Sequence, residues 1–220
     1  QKVRLIQGDV RDQVSIRNAV KDIQVVYHCA AVTVNSGKWS EHEAINIQGT
    51  RSILEVAEES GVEKVIVVSS VAVYGVDKVP GGRDALETSS LDKNPNHWGF
   101  YLRSKLGGDS VAMEYQKNHK LPVVIVRPGI LYGPGKGGLP GKGLVQVGDV
   151  NLIVGNGRNP LPLTYVDNVV DLMLLAGKTN SGDGKAVNAV DAEQPSMREL
   201  GKLIDKTTGD RKSTRLNSSH

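Results

Sequence analysis

Cysteine is almost absent from this chain: among 220 residues, Cys29 stands alone. One thiol cannot build an internal disulfide framework or a cysteine-based zinc site, so a reducing compartment is the simpler setting and no metal is expected. Long apolar runs are missing too. None approaches the ~20 residues that span a bilayer, and Gln1-Lys2-Val3-Arg4-Leu5 lacks the apolar core of a secretory signal. The third absence is charge of one sign. The formal net charge of +3 arises wholly from Arg211, Lys212 and Arg215, so residues 1–210 carry balanced basic and acidic side chains. A neutral body argues against a surface that tracks nucleic-acid phosphates. Segment 211–220 is polar, has no apolar period and reads as a non-native tail. The resulting expectation is a soluble, cytoplasmic protein with neither nucleic acid nor membrane as partner.

What is present is 39% hydrophobic residues, enough for one sizeable core or a large domain plus part of a second. The patterning alternates strands with helices. Val3 to Gln7 reads as a strand running into the Gly8-Asp9-Val10 turn, Asp12 as the N-cap of a helix through Ile16, Ala19 and Val20, and Ile23 to Tyr27 as a buried strand. A helix follows from Glu41 to about Glu59. Gly49 within it costs about 1 kcal/mol relative to alanine, which implies a close packing contact. Lys64 to Val68 is a continuous apolar strand and Val76 to Trp98 a loop. A helix containing Tyr101 runs to about Asn118, weakened by Gly107 and Gly108, and Pro122 to Val126 is the next strand. Gly133 to Gly143 reads as a lid or insertion loop. Short strands at Asn151 to Val154 and Leu161 to Tyr165, a helix N-capped at Asp167, a strand at Ala186 to Val190 and a helix at Ser196 to Asp205 complete the body. Such alternation predicts an α/β fold, a parallel sheet with helices on both faces.

Three places carry chemistry. Tyr101 and Lys105 stand four residues apart, on one face of their helix. A phenol with an ordinary pKa near ~10 is a poor base at neutral pH, and a fixed cation beside it favours the phenolate, so the pair can exchange a proton with a substrate oxygen. The plain alternative is an amphipathic surface helix. His28-Cys29-Ala30-Ala31 places small side chains at the end of a strand, where a flat cofactor can approach the backbone, and Ser69-Ser70 places hydroxyls at the end of the next. Ser70 has an alternative role too, as the partner of its own turn.

In order along the chain, Asp9-Val10, His28-Cys29-Ala30-Ala31, Asn46-Ile47-Gln48-Gly49-Thr50, Ser69 to Gly75, Tyr101 to Lys105 and Arg127 to Pro134 resemble six motifs of the extended short-chain dehydrogenase/reductase family, the NAD-dependent epimerase/dehydratase-like proteins. The resemblance covers residues 5 to about 205. It implies a Rossmann-like, doubly wound parallel sheet binding NAD or NADP, with Asp9, Val10, Cys29, Ala30, Ala31, Asn46, Ser69, Tyr101, Lys105 and Pro128 at the cofactor. Tyr101 is then the acid/base, Lys105 lowers its pKa and holds the nicotinamide ribose, and Ser70 hydrogen-bonds the substrate oxygen.

Two departures shape the expectation. The family's first βαβα unit, with its glycine-rich phosphate turn, has no counterpart here, and the C-terminal substrate lobe is represented only in part. Residues 1–210 therefore read as a partial NAD(P)-binding domain, truncated at its N-terminus and inactive alone, with substrate-binding segments at about 129–165 and 186–210. Sugar-nucleotide members often have Asn where Gly129 or Ile130 stands and an Arg before the turn at Tyr165. The apolar approach through Pro160-Leu161-Pro162-Leu163 instead resembles the 3β-hydroxysteroid dehydrogenase and dihydroflavonol-reductase-like branch. The expected function is hydride transfer between a nicotinamide and a small apolar alcohol or ketone. A sugar-nucleotide epimerase/dehydratase is the alternative, with Arg158, Lys136 and Lys142 as candidate phosphate partners, and a non-catalytic dinucleotide-sensing scaffold is the alternative of another class. A homodimer through the helices bearing Asn46 and Tyr101 is the family's usual assembly.

Overall fold

Asp12 opens the first helix as its pattern requires, its carboxylate accepting the Val14 N–H at 3.0 Å ahead of α1 (Gln13–Ala19). The computed structural model describes residues 3–75, 85–135, 144–147, 150–153 and 157–208. Most of the expected lid, from 136 to 143 and including Lys136 and Lys142, lies outside the described residues, as do 76–84 of the expected loop and the 211–220 tail. After α1 come β1 (Val25–His28), α2 (Trp39–His42), a π-helical segment (Glu43–Gln48) continuing into α3 (Gly49–Glu59), β2 (Lys64–Val68) and a 3-10 turn (Val71–Tyr74). A second 3-10 turn (Pro95–His97) precedes α4 (Phe100–Asn118), β3 (Val123–Pro128), β4 (Ile130–Tyr132), β5 (Leu144–Val147) and β6 (Val150–Ile153). The chain continues through β7 (Leu163–Tyr165), α5 (Val166–Lys178), β8 (Ala186–Ala189) and α6 (Met197–Thr208).

The described residues form two compact units, one of Gln1–Pro128 with Val170–Ala189 and one of Gly129–Val169 with Val190–His220. The first unit is built on a four-stranded parallel sheet in the order β1-β2-β3-β8. Its central strands are runs of β-branched residues buried on both faces, as a parallel sheet covered on both sides demands. Val65, Val67, Val123 and Ile125 meet Ile16 of α1, Leu54 and Val56 of α3, and Val111 and Tyr115 of α4. Each such side chain contributes roughly 1.5–3 kcal/mol by leaving water. The opposite face buries Ile66 and Val124. There Gly177 of α5 lies so near the Tyr27 phenol that a methyl group would collide with it. Lys64, buried at the start of β2, donates to the Thr179 carbonyl at 2.6 Å and pairs with Asp183 at 2.7 Å, binding the carbonyl end of α5 to the sheet.

In the second unit β4 pairs with β7 in parallel and β5 with β6 antiparallel. Asp191 accepts from the Tyr132 hydroxyl, the Tyr165 N–H and the Asn168 amide, knitting β4, β7 and the start of α5. Ser196 and Glu199 form a reciprocal capping box before and within α6.

Several expectations need correction. Val3 to Gln7 forms no strand: Val3 and Leu5 are exposed, and none of this stretch pairs with a strand among the described residues. Alternation defines a face, but a strand exists only where a neighbour takes its backbone groups. The next strand begins at Val25, not Ile23. Asp167 lies inside the first turn of α5, where its charge favours the helix N-terminus, and is not the residue preceding it. Ala186–Ala189 belongs to the main sheet, so the segment assigned to substrate binding from 186 divides after Ala189.

Candidate active site

Tyr101 sits in the first turn of α4. The N-cap is Gly99, which has no side chain to offer, and the Tyr101 N–H is instead taken by the Asn35 amide oxygen at 3.1 Å. Ser70 precedes the first 3-10 turn. Its hydroxyl oxygen accepts the Ala72 N–H at 3.2 Å, which is the turn-partner role the sequence offered for this serine. Burial raises the Tyr101 phenol above its ordinary pKa, and the nearby Ser70 side chain works in the opposite sense. Lys105, one turn further along α4, donates from Nζ to the Val68 carbonyl at 2.9 Å, at the end of β2. Burial lowers the pKa of this ammonium, while Cys29 and Asp109 act to raise it. The phenol therefore stands above its ordinary pKa, where the sequence led us to expect a lowering by Lys105. Desolvation dominates at the phenol, and the cation's direct partner is a backbone carbonyl.

Asn46 ties three elements together. Its amide exchanges two hydrogen bonds with the backbone of Val32, in the loop after β1, and donates to Ser104 Oγ at 2.8 Å; Ser104 in turn donates to the Tyr101 carbonyl at 2.9 Å. Asn46 lies in the π-helical segment, where the Gly49 N–H bonds back to the Ala44 carbonyl. The Thr50 hydroxyl donates to the Asn46 carbonyl at 2.8 Å. A methyl group on Gly108 would strike that carbonyl, and one on Gly107 would strike Ile47. The two glycines that weaken α4 are therefore what lets it approach this segment, and Gly49 serves the same purpose against Val10.

His28 ends β1, buried, with Nε2 at 3.0 Å from Thr50 Oγ1. The single Thr50 proton is committed to the Asn46 carbonyl, so the imidazole nitrogen is the donor. Burial, reinforced by the Lys105 ammonium, holds the His28 pKa at about 4. The neutral ring is thus favoured by folding, and its contribution to stability is complete above the unfolded value near 6.5 and is lost as pH falls from there towards 4. We expect a loss on the order of 3 kcal/mol across that window. Urea denaturation at stepped pH measures it, and H28Q should flatten the slope; an unchanged slope in the variant would assign the acid sensitivity elsewhere.

A small cavity at the carboxyl ends of β1 and β2 gathers Ala30, Ala31, Asn46, Ser69 and Lys105 from the sequence-derived set, with His28, Thr50 and Asp109. Cys29 lies near Lys105; burial raises its pKa and the ammonium opposes that. Asp9 and Val10 are not at this cavity: the Asp9 carboxylate grips Arg11, which holds its pKa down at about 2, and Val10 packs on the core beside Gly49. Pro128 ends β3 in register with Ala189 and does not line the cavity either.

Beneath the site is a buried polar network that motif matching alone leaves without a role. Arg127 forms a two-pronged pair with Asp109 at 2.9 and 2.7 Å and donates to the Tyr74 hydroxyl at 2.7 Å; Tyr74 donates to Asn188 at 2.8 Å. Although burial opposes it, the Asp109 and Tyr74 bonds raise the Arg127 pKa. Tyr101, Lys105 and Asp109 follow at four-residue steps on α4, and this spacing is the signal by which Asp109 could have been found. Among the described residues no group of three or more His, Cys, Asp or Glu side chains could hold a metal ion, and no helix is long and apolar enough to cross a membrane.

A parallel sheet with helices on both faces, and polar side chains gathered at the carboxyl ends of its strands, defines a Rossmann-type α/β fold. The chain belongs to the NAD dependent epimerase/dehydratase family, whose model matches residues 1–189. It is 28% identical to the 3beta-hydroxysteroid-dehydrogenase/decarboxylase isoform 1 of Arabidopsis thaliana over 187 residues, covering 84% of this chain and 42% of the relative. It is 31% identical over 201 residues to an N-acetyl-alpha-D-glucosaminyl-diphospho-ditrans,octacis-undecaprenol 4-epimerase of Escherichia coli O157:H7, covering 88% and 57%. Among solved structures, a double mutant of DesIV, a dTDP-glucose 4,6-dehydratase from Streptomyces venezuelae with NAD and DAU bound, superposes with a TM-score of 0.74 at 25% identity, over 97% of this chain and 66% of that one. The chain spans about half the length of the curated relatives it matches. The family is NAD-dependent; at this cavity Ala30 and Ala31 carry small side chains, and the buried Ser69 hydroxyl has no hydrogen-bond partner in the protein.

Proposed function

We propose that this protein is an NAD(P)-dependent oxidoreductase that moves hydride between a nicotinamide and the hydroxyl- or keto-bearing carbon of a small apolar substrate. The placement of Tyr101 and Lys105 one turn apart on α4, with the Lys105 ammonium on the Val68 carbonyl that leads into Ser69 and Ser70, carries this reading. Tyr101 accepts the proton of the substrate hydroxyl, or returns it to a carbonyl oxygen, and Ser70 holds that oxygen and the phenol in one line. Lys105, anchored on Val68, keeps a positive charge over the site, while Ala30, Ala31, Asn46 and Ser69 are the residues that would hold the cofactor. When bound, the nicotinamide supplies the hydride acceptor or donor, chemistry that side chains lack.

The substrate class rests on two features. The approach to Tyr165 through Leu161 and Leu163 is apolar. Of the two positions where sugar-nucleotide enzymes often carry asparagine, Gly129 and Ile130, the first has no room for it, because any Cβ there would run into the Pro162 carbonyl. The Arabidopsis relative is named for a hydroxysteroid reaction. A second reading, a sugar-nucleotide epimerase or dehydratase, draws support from the 31% identity to the E. coli epimerase. A competition assay of the full-length protein with NAD, a 3β-hydroxysteroid and UDP- and dTDP-sugars separates them. Steroid-dependent NADH formation that the sugars do not inhibit is the expected result; turnover of the sugars alone would promote the epimerase reading.

A further inference from the structure

A helix ordinarily satisfies the free N–H groups of its first turn with the side chain of its own N-cap, and a lost cap weakens that turn. α4 begins on Gly99, and no N-cap side chain is there to do so. The Asn35 side chain fills the role from a distant loop. Its amide lies against Gly99, where a methyl group would strike it, and its oxygen accepts the N–H of Tyr101 itself. The other end of the same residue is held too, since the Tyr101 carbonyl accepts from Ser104, which Asn46 supports. The loop that carries Asn35 is itself fixed at two points. Asn46 grips Val32 on both sides of its peptide, and the buried His42 lies with Nε2 at 3.1 Å from the Ser36 carbonyl.

We infer that Asn35 is a positioning residue for the proposed acid/base: by capping α4 at Tyr101 it sets where the phenol stands relative to Ser70. This rests on the reading of Tyr101 as the proton-transferring group. The loop after β1 thereby couples the cavity wall to the reacting phenol, so that residues bordering the cofactor and the acid/base move as one piece. An Asn35 lost from this position frees the first turn of α4, and a displacement on the order of 1 Å at a reacting group is enough to slow chemistry strongly.

The test compares Asn35→Ala, Asn35→Asp and Tyr101→Phe in the intact protein. Asn35→Ala should speed amide hydrogen exchange at Tyr101 by about fivefold, matching the loss of one cap, and lower kcat about tenfold with little change in KM. Asn35→Asp keeps the acceptor and should restore both the exchange protection and kcat. Normal Tyr101 protection and kcat in Asn35→Ala, with Tyr101→Phe inactive, would overturn the positioning role and leave the acid/base reading standing. Failure of aspartate to restore either readout would overturn it as well. Full turnover in Tyr101→Phe would remove the acid/base reading, and with it any catalytic consequence of Asn35.

Discussion

In the full-length protein, Tyr101→Phe should lower kcat by at least ~100-fold while leaving NAD affinity nearly unchanged. The substitution removes one oxygen and leaves the ring. What disappears is the buried phenol, the group proposed to exchange a proton with substrate. General acid/base catalysis contributes roughly 100-fold to 10,000-fold, so a loss in that range with an unchanged KM identifies a contact made in the transition state. Lys105→Ala provides the contrast, because its ammonium lies in the cavity, anchored on Val68, and its removal should impair both cofactor binding and rate. Steady-state kinetics and NAD titration on the two variants separate the roles. If Tyr101→Phe kept comparable turnover, the assignment would not survive.

The second large effect is on stability. Arg127→Met should destabilise the protein by about 3–5 kcal/mol, the usual result of leaving a buried charge without its partner. Both members of the Arg127–Asp109 pair are almost wholly buried, and the methionine cannot replace any of the donors to Asp109 or Tyr74. The network joins β3, α4, the 3-10 turn after Ser70 and β8, so its loss should loosen the platform beneath Lys105 as well. Adding Asp109→Leu should recover much of the stability, since a well-packed apolar pair carries no desolvation cost. Urea denaturation of the single and double variants reads both effects. A single variant within ~1 kcal/mol of the parent would mean that the pair is solvated in solution.

The parts of the fold that sequence made legible are those whose burial is periodic. The apolar runs of β2 and β3, the spacing of Ile53, Leu54, Val56 and Ala57, and the Asp12 cap each report local geometry through side-chain type. The Tyr101–Lys105 spacing belongs to the same kind of signal. What stayed hidden depends on partners distant in the chain. Val3 to Gln7 has a strand's alternation without a strand's neighbour. Asn35 is an ordinary polar loop residue until α4 is brought to it, and Gly107 and Gly108 look like helix defects until the π-helical segment packs on them. Arg127 stood in the sequence only as the start of the Arg127 to Pro134 motif, and its pairing needed Asp109, which arrives from another element. The upward direction of the Tyr101 shift was hidden for a related reason: the i, i+4 rule places the lysine on the correct face, but the burial that raises the phenol comes from packing.

The most direct test of the account is the pH dependence of kcat/KM for alcohol oxidation, measured on the parent protein and on Tyr101→Phe side by side. Ionisation of the phenol converts an acid into the base that the reaction needs, so the parent should show a limb rising with pH. The account predicts that this limb is missing from the residual activity of Tyr101→Phe. The same limb at the same pH in the variant would contradict it, because the ionisation governing proton transfer would then belong to another group.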